Sequence, residues 1–486
     1  MTSNENRIAL LIEQGFGARI IIQTNLLKTL VENQLEPVIL TTGPESIKAY
    51  LANTPFKNIP IYQLATDAYD QNSNKLFVRI LRLVRLFSLK TQTVSDLFHM
   101  EIQDAKRHKN INNKIVNFIV RILVLIAQLH PSITSFLIAI ENKIALVHSN
   151  QIFFETFNPK LLLTTSIGTF DHDAYVLREA VSRKIKTISY ILSWDNTTVR
   201  GFGTNLTTHI ITWSEIMKSE LVQLHYQKPT RIHVGGVPHY DTYKDTNKIW
   251  TRSELQSKLG LPSYKNIIML GTKSPNTYKS NPYVARIICE SITNNPKLSN
   301  YVLLVRLHPI YYRNQTGKLD VEESEWQTLL TDYGPEIIKL DHPEIIGNDL
   351  RYFMADDEIF KLGSLLKNSD VVINMFSTLN IEAGIFDTPT INVNFQNEHV
   401  NLEGYKQARF DINADARQTH NLRVIDFQST LIAHNPSELT TLLLETLQHP
   451  NTLSAGREKL VRSECSANLG NAASHIGNLI SQFSSH

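Results

Sequence analysis

Apolar residues fall along this chain in short continuous runs, each followed by a small polar turn and then by an amphipathic stretch. In the first half the runs are 8–12, 37–41, 61–64, 161–165, 187–192, 209–213 and 232–234, with a helix over about 19–32 after the first. In the second half they are 267–270, 301–307, 337–340, 371–374 and 390–393, with helices between them and terminal helices over 439–447 and 457–483. Continuous runs of this length suit strands buried on both faces. Their alternation with helical stretches predicts parallel sheets covered on both sides. The expected fold is α/β, two Rossmann-like domains facing across a cleft between their strand carboxyl ends. The first domain spans 1–240, the polar stretch in 241–262 is a linker, the second domain spans 263–450, and a helix in 451–486 crosses back to the first.

The interval 74–149 breaks this rhythm and is predicted to be a mostly helical insertion. Between Lys75 and Arg121 stand ten Lys or Arg against Asp96, Glu101 and Asp104, a net +7 in a chain whose formal total is +2. In the stretch from Lys75 to Phe87 the basic residues recur every three or four positions, with Leu, Val and Phe filling the other side. Such a helix either packs into a core with a solvated basic face or lies on an anionic membrane surface. No aromatic interleaving or known module accompanies the charge, which argues against nucleic acid as a partner.

Length and composition set the remaining bounds. At 486 residues the chain exceeds one ordinary core, and about 200 residues per domain is the natural division. An apolar content of 42% with 19% charged residues describes a globular protein rather than a disordered one. Cys289 and Cys465 offer neither a disulfide framework nor a metal spacing, which fits a reducing cytoplasm. The run 8–12 is too short for a signal peptide, and the longest apolar rival, 118–129, is interrupted by Arg121. The expected location is cytoplasmic, with attachment to the inner face of the membrane if the basic helix seeks lipid.

Candidate chemistry collects where predicted strands end. Asp370-Val371-Val372-Ile373-Asn374-Met375-Phe376-Ser377-Thr378-Leu379-Asn380-Ile381-Glu382-Ala383 passes from a strand through a polar turn into a helix with an early glutamate. Backbone N–H groups and the hydroxyls of Ser377 and Thr378 suit phosphate, and Glu382 suits ribose hydroxyls unless it simply faces solvent. Upstream, Arg306-Leu307-His308-Pro309 ends another strand in cationic groups. Gly271-Thr272-Lys273 follows a third strand without the spacing of a P-loop, yet a glycine, hydroxyls and a lysine at such a turn can hold a diphosphate. Together they predict a nucleotide-diphosphate site in which Lys273 and Arg306 compensate the departing charge and His308 orients or protonates it.

The first half supplies acceptor candidates. Gly15-Phe16-Gly17 opens like a dinucleotide fingerprint, but Ile20 stands at the third glycine position and the second strand ends in Thr41-Thr42 rather than an acid. A tight turn lining the cleft is the better expectation, with Gly15 and Gly17 allowing close approach. In Asp171-His172-Asp173 either aspartate could merely cap the following helix. Alternatively Asp171 or His172 is the general base for an acceptor hydroxyl. The formal D-x-D match to a metal site is discounted. Ser193-Trp194-Asp195-Asn196-Thr197-Thr198-Val199-Arg200-Gly201 sets an aromatic face beside Asp195 and Asn196, a combination suited to a sugar or another polyol. Val234-Gly235-Gly236-Val237-Pro238 is either a plain turn or a close approach to a donor phosphate.

These pieces carry a resemblance. Ser193-Trp194-Asp195-Asn196, Thr212-Trp213-Ser214-Glu215-Ile216-Met217-Lys218, Val234-Gly235-Gly236-Val237-Pro238, Arg306-Leu307-His308-Pro309, and Ser377-Thr378 with Glu382-Ala383 resemble nucleotide-sugar glycosyltransferases of the GT-B fold. The likeness is to bacterial surface-polysaccharide enzymes and the related CDP-glycerol glycerophosphotransferases. It implies a nucleotide-sugar donor as co-substrate in the carboxyl-terminal half and a glycan or lipid-linked acceptor in the amino-terminal half. No cofactor or metal is implied. By the same resemblance Arg306, His308, Ser377, Thr378 and Glu382 contact the nucleotide diphosphate. Non-hydrolysing UDP-N-acetylglucosamine 2-epimerases share the architecture. They typically place paired glycines after the serine, where this chain has Ser377-Thr378-Leu379-Asn380, and it lacks their acidic-arginine-proline segment after 392–395. Transfer of a sugar to a hydroxyl is the leading expectation, ahead of glycerophosphate transfer, epimerisation and a non-catalytic nucleotide- or glycan-binding role.

Overall fold

The computed structural model describes residues 6–107, 111–170, 172–312, 322–400, 402 and 410–484. The chain divides into two compact units, each built on one parallel sheet. The first comprises 1–239, 347–353 and 466–486, and the second comprises 240–346 and 354–465.

In the first unit the strands are β1 (Arg7–Ile12), β2 (Glu36–Thr41), β3 (Ile61–Gln63), β4 (Leu161–Thr164), β5 (Lys186–Tyr190), β6 (His209–Thr212) and β7 (Ile232–Val234). They lie in the order β3-β2-β1-β4-β5-β6-β7, with Ile8 opposite Pro37 on one side and Leu161 on the other. Every residue of β1 after Arg7 and all of β4 are buried, as both-face coverage requires. The strand order reverses between β1 and β4, so the turns that follow these two strands flank a topological switch point, the usual place for a ligand in such sheets.

Local chemistry moves several expected boundaries. The helix expected over 19–32 is two, Gly15–Ile21 and Asn25–Glu32, because the Thr24 hydroxyl caps a new start at Leu26 N–H, 3.2 Å away. Between β3 and β4 stand the helices Asp67–Ser73, Leu76–Phe87, Gln92–Arg107, Ile111–Ala127, Pro131–Ile144 and Gln151–Phe157. Ile80 and Val84 pack with Val116, Val120 and Val124 to give this insertion its own small core. The basic helix Leu76–Phe87 does not carry all its charge outward. Arg85 is buried, donating to Glu141 at 2.8 Å and to the carbonyls of Gly168 and Phe202 at 2.9 and 2.7 Å. Arg178 completes a buried triad on Glu141 at 2.6 Å. Arg85 therefore ties the insertion to the sheet-bearing part of its unit, a role that neither a solvated face nor a membrane surface anticipates.

The second unit holds β8 (Asn266–Gly271), β9 (Tyr301–Arg306), β10 (Ile338–Asp341), β11 (Val371–Asn374), β12 (Thr390–Val393) and β13 (Leu431–Ala433). Their order is β10-β9-β8-β11-β12-β13, again all parallel and again reversing, here between β8 and β11. The expected linker 241–262 is instead part of this unit. The 3-10 segment Pro238–Lys244 runs into it, and it holds the helix Arg252–Leu259, opened by a Thr251–Glu254 capping box. Its polar residues mask a buried set of Tyr240, Tyr243, Ile249 and Leu255.

The helix expected over 457–483 also divides, into Ser454–Glu464 and Ala472–Ser484. The former packs on the helix Leu379–Ile385 in the second unit, the latter on Asn25–Glu32 in the first. Gly235 and Gly236 receive this returning segment rather than a phosphate. Gly236 sits at φ +88°, a Cβ there would meet the Ala467 carbonyl oxygen at 2.0 Å, and Asn468 donates to the Gly235 carbonyl at 3.2 Å. The short piece Gly347–Phe353 completes the first unit as well. The Asp349 carboxylate accepts from the N–H groups of Glu45 and Ser46, each at 3.0 Å, and caps the helix Pro44–Leu51. Gly236→Ala should therefore destabilise the protein by on the order of 2 kcal/mol or more, lowering its thermal midpoint by several degrees. Calorimetry on the pure variant checks this, and an unchanged midpoint would show that the segment does not need the glycine.

Candidate active site

At the carboxyl edge of the second sheet the turns after β8, β9 and β11 converge. Gly271 makes the convergence possible, because a Cβ there would stand 2.1 Å from Leu379 Cδ1. The Thr272 hydroxyl accepts the His308 N–H at 2.8 Å and donates to the Arg306 carbonyl at 3.3 Å, so the turns after β8 and β9 are stitched together. His308 Nδ1 accepts the Ile310 N–H at 3.1 Å. Burial, with the Arg306 charge adding to it, pulls the imidazole down to about 4. The ring is therefore neutral near pH 7, with its proton on Nε2 as a hydrogen-bond donor.

Three buried amides fix the turn after β11. Phe376 adopts a left-handed φ of 51°, its N–H donating to Asn392 Oδ1 at 2.7 Å, while the Ser377 N–H donates to Asn374 Oδ1 at 3.0 Å. Asn380 and Asn392 exchange amide hydrogen bonds at 3.2 and 3.0 Å. All three asparagines are buried, whereas Ser377 and Thr378 remain partly exposed. Lys273 is the cation of this group, paired with Asp415 and held through its backbone N–H to Asn281 Oδ1 at 3.0 Å.

Two donor-site candidates are engaged elsewhere. The Arg306 guanidinium reaches Asp341 at 2.6 Å and also pairs with Glu358, and Lys361 bridges the same two carboxylates at 2.7 and 3.2 Å. Arg306 and Lys361 outweigh burial and hold the Glu358 carboxyl below the usual range. Arg306 is thus an internal tie joining β9 and β10 to the helix Asp357–Asn368, rather than a free phosphate clamp. Its partners lie dozens of residues away, which is why the local motif suggested otherwise. Glu382 is 7% exposed and accepts the Tyr243 hydroxyl. It therefore neither presents a free carboxylate to ribose nor faces solvent.

At the switch point of the first unit, His172 stands between two carboxylates. Its Nδ1 lies 3.3 Å from Glu13, its Nε2 lies 3.1 Å from Asp70, and its backbone N–H donates to Glu13 at 3.0 Å. The hydrogen bond to Glu13, with help from Asp70, raises the imidazole to about 9, while burial pushes the Glu13 carboxyl up to about 7. Tyr69 stacks on Tyr175 at 4.9 Å and donates to buried Glu179 at 2.7 Å, which fixes the helix carrying Asp70. Glu13 was not among the expected residues. Its only signal was a lone carboxylate directly after a buried strand. Asp171 lies outside the described residues, and Asp173 begins the helix Asp173–Ser182.

Other acceptor candidates are structural. Gly15 and Gly17 lie inside the first turns of the helix Gly15–Ile21, not in a turn. The space at Gly15 is filled by the chain's own Tyr352, whose carbonyl oxygen would be 2.0 Å from a Cβ, and a Cβ at Gly17 would find nothing closer than 3.5 Å. Trp194 is 2% exposed and offers no stacking face. Asp195 remains partly exposed and accepts from the Asn196 amide at 3.2 Å, while Asn196 itself is buried.

Two parallel α/β units with reversing strand order and turns gathered at their carboxyl edges define the GT-B class. The fold likeness agrees: Staphylococcus aureus MnaA in its UDP co-structure matches at 11% identity and TM-score 0.54, covering 98% of this chain and 96% of that one. UDP-GlcNAc 2-epimerase of Neisseria meningitidis bound to UDP-GlcNAc matches at 12% identity and TM-score 0.51, covering 98% and 100%. The Methanocaldococcus jannaschii UDP-GlcNAc 2-epimerase matches at 12% and 0.50, covering 98% and 99%. No curated protein matches. The family model for CDP-glycerol:poly(glycerophosphate) glycerophosphotransferase matches residues 200–482. The chain belongs to that family, and it is a transferase.

Arg306→Ala leaves Asp341 and Glu358 buried with Lys361 as their sole neutralising partner. It should cost about 3–5 kcal/mol of stability, read by urea unfolding. A loss below about 1 kcal/mol would return Arg306 to the list of free ligands.

Proposed function

We propose that this chain transfers a group from a nucleotide-diphosphate donor to a hydroxyl of a surface-polysaccharide acceptor, lipid-linked as it grows. The observation that carries the reading is the convergence of Gly271, Thr272, Lys273, His308, Ser377 and Thr378 at the switch point of the second sheet, within the span that matches the family. Lys273 meets the diphosphate as a charge and exchanges Asp415 for it. His308 Nε2–H and the hydroxyls of Ser377 and Thr378 donate to its oxygens, while Thr272 holds the two turns in register. Neutral donors of this kind stabilise developing negative charge without having to reorganise. Lys273 supplies the charge compensation that a metal provides elsewhere, so turnover should survive EDTA.

The base is the Glu13–His172 pair, acting as one titrating unit. Between about pH 7 and 9 the imidazolium and the carboxylate coexist, and the carboxylate takes the proton of the acceptor hydroxyl. Because the Glu13 value is raised, its basic form is depleted below about 7. Activity should therefore fall as pH drops through that value, where an ordinary carboxylate would keep working to far lower pH. Glu13→Gln should abolish this acid limb and slow turnover by roughly 100-fold or more.

The family favours glycerol phosphate as the transferred group, which releases CMP from CDP-glycerol. A sugar is the second reading and releases a nucleoside diphosphate. Chromatography of the nucleotide product over a panel of CDP-glycerol and nucleotide sugars separates the two. His308→Ala and Lys273→Ala should each reduce nucleotide release by about 100-fold. Near-normal release in both variants would remove the donor-site assignment.

A further inference from the structure

Behind the turn that carries Lys273, a buried chain of hydrogen bonds leads away from the candidate donor site. Asn281, buried at the start of the helix Asn281–Asn294, grips that turn from two sides. Its Oδ1 accepts the Lys273 N–H at 3.0 Å. Its Nδ2 shares two protons among the Lys273 carbonyl at 2.9 Å, the Tyr311 hydroxyl at 3.0 Å and the Tyr278 carbonyl at 3.2 Å. Tyr311 is also buried, and its hydroxyl donates in turn to Glu322 Oε2. The links from Lys273 N–H through Asn281 and Tyr311 to Glu322 all point one way, and bonds aligned like this polarise and strengthen one another.

The end of the chain is unusual in three respects. Glu322 adopts a left-handed φ of 59°, uncommon for a residue with a Cβ. It precedes the helix Glu323–Tyr333, yet its side chain turns inward instead of capping it. Its second oxygen, Oε1, is buried with no hydrogen-bond partner among the described residues. A strained, half-satisfied carboxyl is where a fold gives up stability for a task. Burial pushes this carboxyl up to about 7, with Glu325 adding to it, against the Tyr311 hydrogen bond and the Lys279 charge. The hydroxyls of Tyr311 and Tyr278 are pushed well above their ordinary range and stay neutral, and Arg286 is paired with Asp332 at 3.1 Å farther along the two packed helices. An ionised Glu322 can only accept, so the Tyr311 proton must point to it and leave the tyrosine oxygen to Asn281. A protonated Glu322 can itself donate to Tyr311, and the direction of the chain is no longer fixed.

We propose that Glu322 is a positioning residue for the donor site. Its ionised form orients Tyr311 and Asn281 and so holds the Lys273 turn ready for a diphosphate, and protonation relaxes that hold. The proposal rests on the donor-site reading of Lys273, and it concerns how tightly the site binds rather than which group is transferred.

The test is titration calorimetry of the full chain with CDP-glycerol and with UDP-GlcNAc, without acceptor, between about pH 6 and 8.5. Both probes are diphosphate diesters and keep their charge over this range, whereas a terminal phosphate titrates at about 6. Leaving out the acceptor removes Glu13 from the measurement, and His308, at about 4, does not titrate in the window. With Glu322 at about 7, roughly one molecule in ten keeps it ionised at pH 6, so Kd should weaken about tenfold from the alkaline to the acid end. Glu322→Gln should bind throughout as the parent does at pH 6, with the slope gone. Tyr311→Phe should be equally flat, and combining it with Glu322→Gln should add nothing, because both cut one chain. Glu325→Gln, an exposed carboxyl on the same helix, should keep the parent slope. A merely structural Glu322 would lower the thermal midpoint on substitution but leave the slope, and that result overturns the inference, as does a parent chain without a slope. Lys273→Ala separates the two readings. If it loses binding while Glu322→Gln keeps the parent slope, the positioning role alone fails. If neither probe binds the parent, or Lys273→Ala binds as tightly as the parent, the donor-site reading fails and takes this inference with it.

Discussion

The second unit depends on a charge that has been taken out of water. Arg306 at the end of β9 lies between Asp341 at the end of β10 and Glu358 on the helix Asp357–Asn368, with Lys361 closing the set. Two cations and two carboxylates balance, and each carboxylate has more than one donor. That is the condition under which buried ions do not destabilise the fold around them. The consequence is positional. With β9 and β10 clamped, the Arg306 carbonyl and the His308 N–H are presented to Thr272 at fixed spacing, and burial, with the guanidinium adding to it, keeps the imidazole uncharged. Arg306 thus holds the His308 turn in place while its own guanidinium stays with Asp341 and Glu358.

The first unit solves a related problem with a different outcome. Glu141 lies buried between Arg85 and Arg178, which hold its carboxyl below the usual range. At the switch point the balance is left incomplete. Glu13 shares His172 with the exposed Asp70, and burial raises its carboxyl into the neutral range. A closed cluster serves as scaffold, while a cluster still open to a proton can serve as chemistry.

The central strands, such as β1, β4, β8, β9 and β11, were legible because each is mostly Ile, Leu and Val covered on both faces, and such runs have few alternative readings. Leu431–Ala433, three residues between polar Thr430 and His434, escaped. The gathering of the turns after β8, β9 and β11 was legible for a similar reason, since polar turns after buried strands can collect only at one edge of a parallel sheet. Individual roles were not. Arg306 and Glu382 looked like ligands because their partners, Asp341, Glu358 and Tyr243, are remote in sequence. Trp194 looked like a stacking face because a sequence does not say which side of a loop is inside.

Neither unit is a continuous stretch of chain. The first opens the sequence, borrows Gly347–Phe353 from the middle, and closes with 466–486. It cannot be completed until 466–486 has been synthesised, after the whole of the second unit. The helix Asn25–Glu32 has to wait for Ala472–Ser484, and Gly236 for the backbone at Ala467. Cutting the gene near codon 240 would accordingly release a fragment with unfilled grooves at both places. The two sheets are therefore not exchangeable cassettes.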